Sequence, residues 1–398
     1  MDSYRRIMSF GETVWRRRCG VLAAFSLLLA LSALANDERI LIEATLNDKP
    51  IRLVFDTGAS DMTLFQRTCQ RLGIKVTEPP RGGQLAPGEV AVGRTEECDF
   101  ALGSNRVRTA FRVFELPAFL NMAVDGVIGW RPLRTSTIRI DAAQRTAQWL
   151  TNTPPEALGW LKFRLRPQSR ILTLEIPGEG GGGGAFTVDT GSPCGVAMAP
   201  QRWEAFLAAH PKDPKTLLAG YMPGAGTVVL QEAWGNEVRF GPLVLTDVPV
   251  MPSNVAEQGM AGAGFQASLG LAALKRVDLI VDGVFDVAYI RPKNTPASSY
   301  EHNRLGAVFV PPDVQGPDLV ARVIHGSPAF QAGIRDGDVL LRLGDLDVTK
   351  WRTDPTVLPL SRFWEKPPGT KLELTLRRDG KTFTAQPVLR QILGAPPS

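Results

Sequence analysis

Histidine and cysteine are scarce in this sequence: three His (His210, His302 and His325) and four Cys stand among 398 residues. The histidines lie far apart. None falls in an H-E-x-x-H or Cys/His zinc spacing, so no bound catalytic metal is expected. Four Cys are too few to staple a chain of this length, which excludes a disulfide scaffold. No basic block interleaved with aromatic residues occurs, so nucleic-acid binding has no support. The glycine-rich loop 178–184 is followed by neither G-K-[ST] nor a helical pattern. It reads as a hairpin tip rather than a phosphate cradle, and no cofactor is expected. The 39 Gly and 31 Pro show no three-residue period, which excludes a collagen-like fibre.

What is present is ordinary globular material, 44% hydrophobic and 21% charged, enough for two or three domains. At the N-terminus, Arg16, Arg17 and Arg18 precede an apolar run over residues 21–35 that closes on Ala33-Leu34-Ala35. A charged region, a short apolar region and an A-x-A site together predict an export signal over 1–35, cleaved before Asn36. The alternative is a retained membrane anchor, although the run is shorter than the roughly 20 residues that span a bilayer. Arg17-Arg18 also admits a twin-arginine route. Without residues 1–35 the chain loses five Arg and two acids, and its net charge falls from +5 to +2. A periplasmic or cell-envelope location is expected, with secretion as a variant. Cys69, Cys98 and Cys194 remain. Cys69 with Cys98 would leave Cys194 odd, and the connectivity stays open.

The chain repeats itself. Residues 51–60 read IRLVFDTGAS and residues 184–193 read GAFTVDTGSP. Farther on, Gly129 matches Gly270, Leu133 matches Leu274 and Asp141 matches Asp282 at one common offset. Two β-rich units therefore span 36–153 and 154–296, and a third segment, 297–398, shares none of this pattern. In the first unit, short apolar strands over 40–45 and 51–55 flank the turn 47–50. In the second, strands over 171–176 and 185–188 flank the glycine loop. A helical stretch follows each D-T-G, over 64–72 and 201–209.

One D-T-G is weak, and a pair of Asp-Thr-Gly turns closing hairpins would account for it. Two copies at matching repeat positions, each after an apolar strand and followed by Ala or Ser, are more specific. The pattern of apolar strand, D-T-G-[AS] and then Val127-Ile128-Gly129 resembles the retropepsin-like unit of aspartic peptidases. Resemblance to that family covers about residues 37–295. It implies a bilobal, mainly β architecture that brings Asp56 and Asp189 together as a catalytic dyad. Thr57 and Thr190 would cross-brace the two loops, and Gly58 and Gly191 would permit the tight backbone. Ala59 and Ser192 complete the loops, and Ile128-Gly129 and Leu269-Gly270 form the supporting elements. The second copy departs from the pattern in having Ser268 at one apolar position. No Tyr lies between Asp56 and Asp189, so a pepsin-type flap tyrosine is missing from the first unit. Residues 81–88 and 220–226 are candidate flaps.

The chemistry follows from the residues themselves. Two carboxyls about 3 Å apart cannot both ionise, so such a pair holds one proton. The ionised member takes a proton from water while the protonated one donates to the scissile carbonyl. The Ser192 hydroxyl beside Asp189, against Ala59 beside Asp56, predicts that Asp189 carries the charge and Asp56 the proton. Cys194 reads as a packed small residue rather than a nucleophile.

In the third segment, Ser327-Pro328-Ala329, Ala332-Gly333 and Asp336-Gly337-Asp338 resemble a bacterial PDZ domain over about residues 300–391. Strands are expected over 320–324, 339–343, 371–377 and 382–388, with helices over 328–332 and 358–364. That resemblance implies a groove that adds a peptide end as a strand. Leu305, Gly306 and Ala307 would hold the terminal carboxylate, and Val308 and Phe309 would form the edge strand. The whole sequence thus predicts an exported aspartic endopeptidase acting on protein or peptide substrates, with a PDZ module that takes a C-terminal peptide. One chain carries both units, so a monomer is expected. The alternative from another class is a non-catalytic scaffold that acts through the PDZ module.

Overall fold

The computed structural model describes residues 29–30, 39–77, 90–115, 123–178, 183–222, 226–253, 262–293, 300–312, 316–354 and 356–394. The segment 81–88, most of the loop 178–184 and nearly all of the expected export signal lie outside them. From that signal only Leu29–Ala30 is described, as a short strand against Tyr221 and Gly220. Among the described residues no helix is long and apolar enough to cross a membrane.

Alternating burial builds the first unit. Along Leu41–Leu46 the side chains of Ile42, Ala44 and Leu46 are buried while Glu43 is exposed, so one face meets the core. Asn47 and Asp48 take left-handed backbone at the turn into Lys49–Phe55, a conformation these short polar residues adopt at small cost. The end of that strand, Leu53, Val54 and Phe55, is wholly buried, and Gly126–Ile128 lies parallel beside it. Both belong to an eight-stranded sheet. The helix after the first D-T-G covers Gln66–Leu72 rather than 64–72, because Thr63–Phe65 is captured as a strand by Arg112–Glu115.

The second unit repeats the plan. Thr173–Glu175 pairs with Ala185–Val188, which lies parallel to Phe265–Leu269. Pro at the first helical position opens Pro200–Ala209. The two units are not separate bodies, however. Thr137–Asp141 and Thr146–Leu150, late in the first unit, join Val277–Asp282 and Val287–Pro292 in one thirteen-stranded sheet. A single apolar cluster, from Ile40 to Ile290, runs through both. Cys69, Cys98 and Cys194 are buried, and the Cys69–Cys98 link left open by the sequence is not made. Cys69 packs as a small hydrophobe in the apolar core, and the Cys98 thiol donates to Glu96 O at 3.4 Å.

The C-terminal unit has its own six-stranded sheet and its own core around Trp351 and Trp364. The wholly buried Asp338 is compensated by a two-pronged ion pair, with Arg378 donating from Nε at 2.6 Å and Nη2 at 2.7 Å. Ser327 caps Pro328–Gln331 by accepting from Phe330 N. The helix expected over 358–364 forms only at Ser361–Trp364. The last strands are Leu374–Arg378 and Lys381–Ala385, ending three residues short of the expected 388.

This unit meets the rest through a long hairpin of the second unit, Lys215–Met222 with Gly226–Phe240. Glu232 on that hairpin is enclosed, and Tyr300 Oη donates to its carboxyl at 2.6 Å. Burial pushes the Glu232 carboxyl up to about 7, with Glu365 adding to the effect and the Tyr300 hydroxyl opposing it. A raised carboxyl stabilises the fold fully below its usual value of 4.5, and that stability is lost as pH rises towards about 7. Thermal unfolding followed across this range should therefore show the wild-type midpoint falling relative to Glu232→Gln. Parallel curves for the two proteins would sink this account.

Candidate active site

The two D-T-G loops begin where two parallel strand pairs end. Asp56 N donates to Ile128 O at 3.0 Å, and Asp189 N donates to Leu269 O at 2.9 Å. The apolar residue before each glycine thus fixes the backbone of an aspartate. Next, Trp130 N donates to Ala59 O and Leu271 N to Ser192 O, both at 2.8 Å, which ties down the far end of each loop. The chain passes so close at these points that a Cβ on Gly129 would stand 2.7 Å from Ala59 O, and one on Gly270 would stand 2.4 Å from Cys194 O. Ser268 keeps its register opposite Thr187 and Ala197, so the departure from the apolar pattern leaves the ladder intact.

The threonines join the loops to each other. Thr57 N donates to Thr190 Oγ1 at 3.0 Å, and Thr190 N donates to Thr57 Oγ1 at 3.2 Å. Each hydroxyl then donates across the axis to the opposite strand, Thr57 Oγ1 to Val188 O at 2.6 Å and Thr190 Oγ1 to Phe55 O at 2.7 Å. The four bonds obey a two-fold symmetry that the sequence repeat anticipates.

This brace sets the carboxyls side by side. Asp56 Oδ1 accepts from Gly58 N at 2.8 Å and Ala59 N at 3.0 Å. Asp189 Oδ1 accepts from Gly191 N at 3.0 Å and Ser192 N at 3.1 Å. Each carboxyl rests over the glycine of the other loop: a Cβ at Gly58 would lie 2.4 Å from Asp189 Cγ, and one at Gly191 would lie 2.3 Å from Asp56 Cγ. Both aspartates are buried. Burial is the largest influence on Asp56 and pushes its carboxyl up to about 6. A hydrogen bond with Asp189 and the amides of Gly58, Ala59 and Gly191 act in the opposite direction. The shift has the sign expected of the member that holds the shared proton. The Ser192 hydroxyl expected to bond Asp189 instead accepts from Cys194 N at 3.4 Å, so it is the Ser192 amide that reaches Asp189, as the Ala59 amide reaches Asp56.

Asp56, Thr57, Gly58, Ala59, Ile128 and Gly129 thus meet Asp189, Thr190, Gly191, Ser192, Leu269 and Gly270 in one cluster. Leu305, Gly306, Ala307, Val308 and Phe309 stand elsewhere, in the C-terminal unit, and all five are buried. Of the candidate flap 220–226, the described residues are the tip strands of the long hairpin. Sequence reasoning missed Asn303, Thr216, Glu232 and Tyr300, which join that hairpin to the C-terminal unit. Glu232 carried a signal, being an acid inside an apolar strand pattern.

A family described as aspartyl protease has a sequence model that matches residues 42–131. The match spans the Asp56 loop and Ile128-Gly129 and stops before Asp189. No curated protein is matched by the chain. Among solved structures, the chain is similar to the crystal structure of the retroviral protease-like domain of Ddi1 from Leishmania major. Identity is 20%, the TM-score is 0.23, and the match covers 29% of this chain and 90% of that chain.

The threonine brace predicts a measurable cost. Thr57→Val leaves the Thr190 amide and the Val188 carbonyl without partners, and Thr190→Val leaves the Thr57 amide and the Phe55 carbonyl, which costs about 1–3 kcal/mol for each unsatisfied group. Each single variant should therefore lower the denaturant midpoint by a similar amount, since the two remove symmetry-related bonds. A midpoint unchanged from wild type in either variant would refute the cross-brace.

Proposed function

We propose that this chain is an exported aspartic endopeptidase whose Asp56–Asp189 dyad hydrolyses peptide bonds with an activated water. The observation that carries the reading is the pair of buried carboxyls, each seated over the other loop's glycine. Enclosed together, they retain one proton between them. Asp189, as the charged member, takes a proton from water as it attacks the scissile carbonyl. Asp56 donates its proton to the carbonyl oxygen and stabilises the charge that develops there. Water is the nucleophile and no acyl-enzyme forms. Residues 300–391 read as a PDZ-like module that binds peptide chains, with its groove between Ala307–Val310 and Ser361–Trp364.

The reaction needs the shared proton, and Asp56 holds it up to about pH 6. Cleavage of a peptide library by residues 36–398 should therefore fall as pH rises through about 6. Asp56→Asn and Asp189→Asn should each lose turnover by several orders of magnitude while remaining folded. Activity persisting in either variant points to another site. No cleavage by the folded wild type at any pH from 3 to 8 would favour the scaffold reading. Ser192→Ala is expected to leave the acidic limb of the profile in place, because the Ser192 hydroxyl accepts from Cys194 N and the amide that the variant keeps is the group on Asp189; a shifted limb would overturn this account.

A further inference from the structure

We propose that the groove of the C-terminal unit is filled from within the chain. Asn303 stands where a ligand's terminal carboxylate would bind, and the hairpin strand Lys215–Met222 lies where the added strand would lie. The resident partner of this module is then the second lobe of its own protein, and a free peptide end engages only by displacing it. This inference rests on the PDZ-like reading of residues 300–391.

The register of the edge strand carries the argument. Ala307–Val310 is the outer strand of its sheet, antiparallel to Leu319–Val323. Ile324 N donates to Gly306 O, so that level of the ladder is hydrogen-bonded and Ala307, one residue on, turns its own N–H and C=O outward. At a bare edge these groups invite an added strand. Here Ala307 O already accepts from Asn303 Nδ2 at 2.8 Å, and the same nitrogen donates to Leu217 O on the hairpin at 2.9 Å. The other end of the carboxamide faces the loop: Asn303 Oδ1 accepts from Leu305 N at 2.9 Å and Gly306 N at 3.1 Å. Those amides are the ones a carboxylate oxygen would need. Asn303 is 6% exposed, and its four bonds leave no vacancy for a second acceptor at that loop.

The hairpin completes the closure. Thr216 Oγ1 donates to Asn303 O at 2.6 Å, and Leu217 packs with Val308 and Val310 of the edge strand. On its opposite side, Leu218, Val228 and Leu230 pack on Cys194 and Met251. Cys194 follows Ser192 in the second aspartate loop, so the strand that shuts the groove also supports that loop.

Two substitutions at one position separate the two halves of the contact. Asn303→Gly empties both. Asn303→Asp keeps an oxygen on the Leu305 and Gly306 amides but has no donor for the Leu217 and Ala307 carbonyls. The probes are a fluorescein-labelled heptapeptide ending in valine with a free carboxylate, and its C-terminal amide, followed by anisotropy. The protein is the full chain carrying Asp56→Asn to prevent cleavage. Wild-type Asn303 should bind neither probe. Asn303→Gly should bind the free acid about tenfold or more tighter than wild type, and prefer it to the amide. Asn303→Asp should speed hydrogen exchange at the hairpin amides 216–219 while still binding neither probe. If Asn303→Gly does not fold, Asn303→Ala removes the same carboxamide from both the amides and the carbonyls and should give the same gain. Carboxylate-selective binding by wild type, with hairpin exchange unchanged, would overturn the filled groove and leave the PDZ-like reading standing. Binding by none of the folded variants would overturn the PDZ-like reading itself.

Discussion

Two carboxyl groups enclosed side by side, out of reach of bulk water, impose the condition that the rest of the fold serves. Left to themselves they would repel and separate, since like charges in low dielectric are costly. The fold holds them with backbone amides, two to each Oδ1, and with glycines that let each acid approach the opposite loop. The Thr57–Thr190 brace then locks the loops to one another and to the strands that feed them. None of these groups is reactive alone. Their arrangement brings the two aspartates to one place, each over the other loop's glycine.

That arrangement needs a stiff support, and the shared sheet supplies it. A strand from the first unit, Thr137–Asp141, pairs directly with Val277–Asp282 from the second. Any rotation of one unit against the other would break this ladder and the common apolar core beneath it. The loops therefore meet across a continuous platform, not across a loose interface between lobes.

The C-terminal unit is joined to this platform through Asn303, Glu232 and Tyr300, whose side chains are hydrogen-bonded. Asn303 spends its full side-chain capacity on two carbonyls and two amides. Glu232 is matched by the Tyr300 hydroxyl, and Asp338 within the unit is matched by Arg378. Buried polar networks of this kind specify one geometry, because every alternative leaves a group unpaired. The hairpin between the two regions thus has a defined place, with Cys194 of the aspartate loop on one side and the strand Ala307–Val310 on the other.

The repeat, the two D-T-G loops and the apolar-Gly elements were legible in the sequence because each is a local pattern: an apolar strand, a turn glycine, a fixed spacing. So were most strands, since alternation of apolar and polar residues reports which face is buried. Helix limits were less legible. Leu64 and Phe65 read as helical locally and become strand only because Arg112–Glu115 lies beside them. The joining of Thr137–Asp141 to the second unit was invisible for a similar reason, as pairing between distant strands leaves no mark at either one. Asn303 shows the limit most clearly. By itself it is an ordinary polar residue before Leu305-Gly306. Its four partners come from a hairpin some 86 residues earlier and from the loop it precedes. The sequence by itself determined which residues form the paired acids and their braces. Only the tertiary structure decided how deeply they are buried, that the Asp56 carboxyl is raised and that Asn303 ties the long hairpin to the C-terminal unit. Burial and hydrogen bonding at those points depend on segments far apart in the chain.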